Sequence, residues 1–453
     1  MNAQDDLRRA ARSIFDATLA NLDARAAVRR ALDFTGGRLT ILDAEFDLNA
    51  QPHAIYSIAV GKAAFAMASA LDEVLGGALL AGGVVSAPTS SGELSGRWRV
   101  FVGGHPLPNE ASLEAARAAF ALLREADAVG PRALVIFLIS GGGSAMLEWP
   151  RDESITLAEL REANRALVSC GASIDEINAV RRVFSSVKGG GLSARAGRAA
   201  QISLIISDTK QDEPHNVASG PTFPFAHESH QPSEIVKRYG LAARLPGSIL
   251  RAVNQPHRPH AETDRVAALR RHHVLLDNER ALARAAEVAA ALGFTVEIAR
   301  DVSEQAVAEG AALLVSRLFD LRRREGGRPV CLISGGEFSC PVRGAGVGGR
   351  NAETILRCAF EIEAQAARSS SGATTAGRVV ALSAGTDGID GNSPAAGALC
   401  DDATLARARA LSLDAQKFLE ASDAHTFFAA LGDAVTTGAT GTNVRDLRLL
   451  LAG

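Results

Sequence analysis

Short, continuous apolar runs alternate along this chain with longer segments in which apolar residues recur every three or four positions. The runs have the length of buried strands, and the longer segments have the period of amphipathic helices. The clearest runs are Ala54–Val60, Ala133–Ile139, Ile202–Ile206, Val330–Ile333 and Val379–Ser383. Because strands alternate with helices throughout, the pattern predicts an α/β fold with largely parallel sheets.

The length of the chain predicts two domains. At 453 residues it is too long for one compact core. Segment 223–264 is rich in Pro and His and has no clean period, so we interpret it as the connection between domains. The predicted domains are residues 1–240 and 241–453, with a ligand cleft between them. Residues 4–32 predict an amphipathic helix, and it stays open whether this helix packs against the second domain.

Composition and charge exclude several classes of function. The apolar fraction of 47%, the charged fraction of 22% and the net charge of -3 are ordinary for a soluble globular protein and argue against nucleic-acid binding. Five scattered cysteines without a C-x-x-C pair argue against a disulfide framework and a structural zinc site. The N-terminus lacks the apolar core of a signal peptide, and no apolar run has the length of a membrane span. We therefore expect a cytoplasmic protein with no membrane partner, and a homodimer is left open.

A glycine-dense loop follows the apolar run Val330–Ile333 and leads to Arg350 and Asn351. Gly344, Gly346, Gly348 and Gly349 let the backbone turn its N–H groups toward an anion, and a helix predicted to begin here adds a positive dipole end. Arg350 adds a fork of donors suited to phosphate or carboxylate. The loop also matches the G-x-G-x-x-G dinucleotide pattern, but no strand runs directly into its first glycine. The acids that follow, Glu361 and Glu363, lie in the predicted helix. The hypothesis is an anion site, with an ordinary surface loop as the alternative.

Several other predicted strands end in residues suited to chemistry. Lys62 follows Ala54–Val60, where open α/β sheets bind ligands. Gly141, Gly142, Gly143 and Ser144 follow Ala133–Ile139 in an arrangement that can cradle phosphates, although it is not a Walker loop. Asp208 follows Ile202–Ile206 and is placed for metal binding or general-base chemistry, or simply for capping a turn. Asp387 lies in a glycine loop after Val379–Ser383, where a carboxylate can bind Mg²⁺.

Taken together, these stretches resemble the bacterial glycerate 2-kinases with a C-terminal MOFRL domain. The matching segments, in the family's order, include VGKAAFAMA, GGHPLPNEAS, LISGGGSAML, INAVRRVFSSVKGGGLSA, IISDTKQDEPHNVASGPT, GAGVGGRNAE, ALSAGTDGIDGN and TTGATGTNVRDL. The resemblance covers residues 7–451. It implies a Rossmann-like N-terminal domain, a MOFRL region at about residues 330–451, and ATP- and Mg²⁺-dependent phosphorylation of D-glycerate to 2-phosphoglycerate.

The resemblance also implies a role for individual residues. Its catalytic residues fall on Lys62, Arg350 and Asp208, and its metal ligands on Asp208 and Asp387. Its nucleotide-binding positions fall on Gly141, Gly142, Gly143, Ser144, Lys188, Gly189 and Gly190, and its substrate-binding positions on Asn351, Glu353 and Thr386.

The sequence departs from the family pattern at Val183, Lys210, Gln211, Ala352 and Ala439. We place these changes in loops near the acceptor, so they bear on which hydroxy acid is used. Two alternatives stay open. An NAD(P)H-dependent hydroxypyruvate reductase would require a true dinucleotide fold, and a sugar-acid or nucleotide sensor would bind ligand without ATP turnover.

Overall fold

The computed structural model describes residues 3–50, 53–77, 79–90, 92–210, 212–224, 231–255, 270–369 and 378–453. The chain forms two compact units. The first unit is residues 24–275, and the second unit combines residues 1–23 with residues 276–453. The α/β fold predicted from the sequence is confirmed.

The first unit is built on a six-stranded sheet. A small antiparallel sheet of β1 (Leu32–Thr35), β2 (Arg38–Ile41) and β3 (Ala44–Asp47) precedes it. The large sheet contains β4 (Ala54–Val60), β5 (Leu80–Ala87), β6 (Trp98–Val102), β7 (Ala133–Ser140), β8 (Ala200–Ile206) and β9 (Arg270–Leu276). Its order is β6-β5-β4-β7-β8-β9, and the pairings from β6 through β8 are parallel, as predicted.

Helices connect these strands. Their α-helical bounds are Ala24–Ala31, Ala64–Leu75, Glu110–Val129, Gly143–Met146, Leu157–Val168, Ile174–Phe184, Gly191–Ala196, Pro232–Arg238 and Gly247–Asn254. Short 3₁₀ turns lie at Gly130–Arg132, Pro214–Ser219 and Leu241–Ala243. Asn109, Thr156 and Ser173 each begin a helix with a capping box, which satisfies N–H groups that the helix itself leaves unpaired. β4 and β7 are buried along almost their whole length, because parallel strands are covered on both faces.

The second unit has a mixed sheet, and here the prediction of a largely parallel sheet is wrong. Its strands are β10 (Thr295–Ile298), β11 (Val330–Ser334), β12 (Val379–Gly385), β13 (Gly397–Asp401), β14 (Ala434–Val435) and β15 (Asp446–Ala452). The order is β10-β11-β15-β12-β13-β14, and β10 with β11 is the one parallel pair among these described pairings. The connection from β12 to β13 contains no helix, and antiparallel strands need no crossover helix.

The N-terminal helix Ala3–Asn21 belongs to the second unit. The other helices of this unit are Asn278–Ala291, Val307–Arg324, Arg350–Ser369, Thr404–Ala410, Ala415–Glu420 and Ala424–Leu431. Ile14 and Phe15 are fully buried in a core shared with the sheet. Arg8 pairs with Asp401, at 2.5 Å, and with Asp433. The N-terminal helix therefore packs against the second unit, which the sequence had left open.

The predicted domain boundary and connection differ from the structure. The units divide at residues 275 and 276 rather than at 240 and 241. The described part of segment 223–264 contains two α-helices, and Ile235, Leu241 and Ile249 are buried in a core of the first unit. These helices are too short to show a clear period. Residues 225–230 and 256–264 lie outside the described residues. No described helix is both long enough and apolar enough to cross a membrane.

Candidate functional site

The strand order of the first unit fixes where a ligand site can form. Counted from β4, the order is 3-2-1-4-5-6, which is that of a dinucleotide-binding sheet. The order in which successive strands are added to the sheet reverses between the parallel neighbours β4 and β7, and open α/β sheets bind ligands beyond the carboxyl ends of the strands at such a switch point. Gly61 and Lys62 follow β4, and residues 141–144, here called the Gly141 loop, follow β7. Both predicted elements therefore lie at the expected place.

Backbone hydrogen bonds join the two turns. The N–H of Lys62 donates to the carbonyl of Gly141 at 2.9 Å, and the N–H of Ala63 donates to Ser140 Oγ at 3.0 Å. Gly61 has a φ of +115°, and a Cβ there would lie 2.3 Å from the Ser140 carbonyl oxygen. Only glycine allows this close approach. The base of Lys62 is thus fixed to the Gly141 loop.

Three side chains from three different loops approach the Gly141 loop. A Cβ at Gly141 would lie 1.9 Å from Asp208 Oδ2. A Cβ at Gly142 would lie 3.0 Å from His105 Cδ2 and 3.3 Å from Lys62 Cγ. The glycines are therefore needed so that a lysine, a histidine and a carboxylate can lie against the loop backbone. The structure brings together Lys62 and Asp208, which the sequence selected, and places His105 beside them.

A buried polar network supports the loop at Ser144. Ser144 Oγ lies 2.7 Å from Ser219 Oγ, which donates to Asn178 Oδ1 at 2.8 Å. Ala218 and Ser219 have φ values of +52° and +61°, and non-glycine residues adopt this region at a cost. Sequence reasoning missed Asn178 and Ser219. The available signal was Asn178, an asparagine between the apolar residues Ile177 and Ala179 of a helical pattern.

Lys188 supports the loop from within the protein. Its ammonium group is 1% exposed, pairs with the buried Glu148 and donates to the Ser144 carbonyl at 3.0 Å. Burial lowers the pKa of Lys188, and the Glu148 carboxylate opposes that shift. The N–H groups of Gly189 and Gly190 donate to the carbonyls of Ser219 and Gly220. These groups, selected from the sequence for nucleotide binding, already have protein partners.

The loop 344–349 of the second unit, here called the Gly344 loop, uses its backbone differently from the prediction. The N–H groups of Gly346, Val347 and Gly348 donate to the Ala421 carbonyl, Asp423 Oδ1 and Asn392 Oδ1, at 3.1, 2.8 and 2.8 Å. A Cβ at Gly344 or Gly346 would lie 2.5 Å from residues 421–423. The N–H groups of Gly346 and Gly348, which were predicted to face an anion, are therefore occupied by protein acceptors.

The start of the helix Arg350–Ser369 is likewise occupied. The N–H groups of Asn351 and Ala352 donate to the two carboxylate oxygens of Asp390, at 2.9 and 2.8 Å. Burial raises the pKa of Asp390 to about 6, although these N–H donors oppose the shift. The positive end of this helix is thus neutralised by a side chain of the protein itself.

Arg350 is held by two carboxylates. Its Nε donates to Asp446 Oδ2 at 2.6 Å, and its Nη2 lies 2.9 Å from Glu337 Oε1. Burial opposes charge on Arg350, yet the carboxylates of Asp446 and Glu337 outweigh burial and raise its pKa. The side chain is 34% exposed and lines a cavity of about 370 Å³ together with Glu353. Sequence reasoning missed Asp446.

The other selected residues of this unit mostly serve structure. Asn351 is 1% exposed, and its amide bonds Asp446 Oδ1 at 3.0 Å and Ser383 Oγ at 2.5 Å. Thr386 is also 1% exposed and donates to the Arg445 carbonyl. Asp387 accepts from the N–H of Ile389 at 3.1 Å. Among the described residues, no group of three or more His, Cys, Asp or Glu side chains could hold a metal ion.

Known proteins similar to this chain carry two names, glycerate kinase and putative hydroxypyruvate reductase. Residues 10–254 match a family described as a domain of unknown function, DUF4147, and residues 330–446 match the MOFRL family. A D-glycerate 2-kinase from Thermotoga maritima is 32% identical over 86% of this chain and 88% of its own. The chain belongs to the glycerate 2-kinase family with a C-terminal MOFRL domain. A glycerate kinase from Homo sapiens is 34% identical over 97% of this chain and 92% of its own.

A solved structure of this glycerate 2-kinase family extends the likeness to three dimensions. The crystal structure of a glycerate kinase from Thermotoga maritima has a TM-score of 0.81 and 29% identity, and the match covers 99% of this chain and 100% of that one. The resemblance predicted from the sequence motifs is confirmed.

The positions that depart from the family motifs lie in two kinds of place. Val183 and Ala352 are buried in helices, each within a hydrophobic core, so their predicted placement in acceptor loops is wrong. Lys210 and Ala439 are exposed, and Gln211 lies outside the described residues.

Proposed function

We propose that this protein is a D-glycerate 2-kinase. It transfers the γ-phosphoryl group of ATP to the 2-hydroxyl of D-glycerate, and the products are 2-phosphoglycerate and ADP. The observation that carries the proposal is the cluster at the switch point of the first unit, where Lys62, His105 and Asp208 lie against the glycines of the Gly141 loop. Phosphoryl transfer needs charge neutralisation and positioning more than covalent chemistry, and this cluster offers both.

The Gly141 loop is suited to bind the phosphates of ATP. The helix Gly143–Met146 begins within it, and the first N–H groups of a helix have no partner inside the helix. Lys62 adds a positive charge beside Gly142, where it would bind phosphate oxygens and stabilise the charge that develops as the phosphoryl group transfers. The Ser144 network and the buried Lys188 hold the loop in place, which we take as their role in place of direct nucleotide contact.

Asp208 is the proposed magnesium ligand of this cluster. Mg²⁺ is commonly bound through one or two carboxylates together with substrate phosphates, so a single carboxylate beside a phosphate loop fits it. When bound, the ion would neutralise charge on the β- and γ-phosphates. Asp208 also remains a candidate for orienting the acceptor hydroxyl, because its carboxylate lies directly against the loop backbone. Asp387 stays a second candidate ligand.

Arg350 is the proposed anion-binding residue of the second unit. Asp446 and Glu337 fix its guanidinium, and a positioned cation loses little freedom on binding an anion. Glu353 lines the same cavity and is proposed to contact substrate there. Asn351 and Thr386 are instead proposed to hold the surrounding loops, because their polar atoms are buried and bonded within the protein.

The described residues do not provide the dinucleotide site that an NAD(P)H-dependent reductase would need. The sheet has the dinucleotide-binding order, but the turn after β4 reads Gly61-Lys62-Ala63-Ala64 rather than G-x-G-x-x-G. The next strand, β5, ends at Ala87 and is followed by Pro88, where an acid would be needed to bind the ribose. The G-x-G-x-x-G match lies in the Gly344 loop, whose N–H groups are occupied. These features favour the kinase.

The deciding experiment is an ADP-release assay with ATP, Mg²⁺ and D-glycerate, with enolase added to identify the product. We expect glycerate-dependent ADP and a product that enolase consumes directly, since enolase acts on 2-phosphoglycerate. ADP release with a different hydroxy acid alone would keep the kinase and change its acceptor. No ATP turnover by folded protein with any acceptor, or oxidation of NADH with hydroxypyruvate, would overturn the proposal.

A further inference from the structure

A charged cluster lies buried beneath the Gly141 loop. It consists of Glu148, Arg181 and Lys188, which are 0%, 9% and 1% exposed. Two of these groups are cationic and one is anionic, so the cluster carries an excess positive charge. Burying charge away from water is costly unless the charge is paired.

Both carboxylate oxygens of Glu148 have partners other than Arg181. Glu148 Oε2 pairs with Lys188. Glu148 Oε1 accepts from Ser185 Oγ at 2.5 Å and from the N–H of Trp149 at 3.0 Å. The pairing of Glu148 with Lys188 therefore leaves the charge of Arg181 as the excess.

Arg181 itself is poorly satisfied. Its Nε is buried and has no hydrogen-bond partner among the residues that the structure describes. Burial lowers the pKa of Arg181 to about 10, and the Glu148 carboxylate only partly opposes the shift. A guanidinium carries five donors in a rigid fork that matches an oxyanion. An arriving oxyanion would supply both the missing acceptors and the missing negative charge.

The position of Arg181 relates it to the phosphate-binding cluster. Arg181 lies in the helix Ile174–Phe184, three residues after Asn178, and residues three apart share a helix face. Asn178 bonds Ser219, which bonds Ser144 of the Gly141 loop. Lys188, whose charge interacts with Arg181, donates to the carbonyl of the same Ser144. Arg181 is therefore on the helix face that supports the loop.

We propose that Arg181 is a substrate-binding residue that receives an oxyanion beside the Gly141 loop. The oxyanion is either the carboxylate of the hydroxy acid or a phosphate of the nucleotide. The inference rests on the proposed function and adds a residue to the same site. It explains why a guanidinium remains buried here although the Glu148 carboxylate is already paired with Lys188.

The test compares Arg181→Met with the wild-type protein and with Arg165→Met, an exposed arginine of the neighbouring helix Leu157–Val168. KM is measured for D-glycerate at saturating ATP, and for ATP at saturating D-glycerate. We expect one of the two KM values to rise at least about tenfold in Arg181→Met, as for a lost charged hydrogen bond, and neither to change in Arg165→Met. A rise for D-glycerate identifies the carboxylate, and a rise for ATP identifies the phosphate.

A second measurement does not depend on turnover. The thermal stabilisation of the protein by D-glycerate alone and by ADP alone should be lost for one of the two ligands in Arg181→Met. Should that variant fail to fold, Arg181→Lys takes its place, because lysine keeps the charge but lacks the planar fork. KM values and ligand stabilisation all within about twofold of wild type would overturn the inference. An inactive wild-type protein would instead overturn the proposed function, and ligand stabilisation would still test Arg181.

Discussion

The Gly141 loop and the Gly344 loop look alike as sequence and differ in what surrounds them. Each is rich in glycine, follows an apolar strand and leads toward a helix. Around the Gly141 loop, glycines make room for the side chains of Lys62, His105 and Asp208. Around the Gly344 loop, glycines make room for backbone of residues 421–423, and the N–H groups bond to protein acceptors. The side chains around the Gly141 loop suit the ligand proposed for it, whereas the backbone of the Gly344 loop is bonded to the protein, although three of its glycines also line the cavity beside Arg350.

This difference shows that a glycine-rich stretch indicates a group lying close to the backbone. It does not indicate whether that group is a ligand, a side chain or another backbone segment. A backbone without Cβ atoms can lie against a phosphate, a catalytic side chain or another backbone segment. The partners come from distant parts of the sequence, so the loop alone cannot reveal them. The predictions below separate an effect on catalysis from an effect on folding.

The largest effect should come from Lys62→Met. Loss of a cation that stabilises the transferring phosphoryl group should lower kcat/KM for ATP about a thousandfold, with little change in the free energy of unfolding. The control is Lys237→Met, because Lys237 is an exposed lysine of the helix Pro232–Arg238. If steady-state kinetics give similar values for both variants, Lys62 does not act on the phosphates.

Gly141→Ala should damage catalysis next. The new Cβ would lie 1.9 Å from Asp208 Oδ2, so the carboxylate must move, and a displacement of about 1 Å can cost roughly a hundredfold in rate. The matched control is Gly96→Ala, where nothing lies within 4 Å of the added Cβ. A Gly141→Ala enzyme with normal kcat/KM would mean that the position of Asp208 does not matter for the reaction.

Asp390→Asn tests the cap on the helix that follows the Gly344 loop. The folded-state pKa of Asp390, about 6, is above its ordinary 3.8. Protonation of Asp390 therefore favours the folded state. This contribution to the free energy of unfolding is present below pH 4 and is lost as the pH rises through 6. From pH 3 to pH 8, the unfolding free energy of the wild type should fall relative to Asp390→Asn by about 3 kcal/mol. Chemical denaturation at several pH values measures this difference, and a difference independent of pH would contradict the assignment.

Gly346→Ala should have the smallest effect, and on stability rather than on chemistry. The added Cβ would lie 2.5 Å from Asp423 Cβ and 2.7 Å from the Ala421 carbonyl oxygen. Such overpacking typically costs about 2 kcal/mol of unfolding free energy, which denaturation measures against Gly96→Ala. A stable variant that instead loses its affinity for ATP would show that the Gly344 loop binds ligand after all.

The sequence predicted the first unit better than the second for a physical reason. Parallel strands joined by helices leave a regular alternation of apolar runs and helical periods, as in β4 and β7. The antiparallel position of β15 has no such signal, because no hairpin turn joins it to its partners β11 and β12. For the same reason Lys62 and Asp208 could be selected at strand ends. Asn178, Ser219 and Asp446 could not, because their importance lies in what they contact.

The second unit also has a consequence for how the protein is made. Its first helix, Ala3–Asn21, is synthesised before the entire first unit, and its central strand, β15, ends one residue from the end of this chain. Domains generally fold as units during synthesis, beginning from the N-terminus. On the ribosome, the first unit can therefore fold while the early helix still waits for its sheet. Loss of β15 would remove Leu447, Leu449 and Leu451 from the core that this helix shares with the sheet.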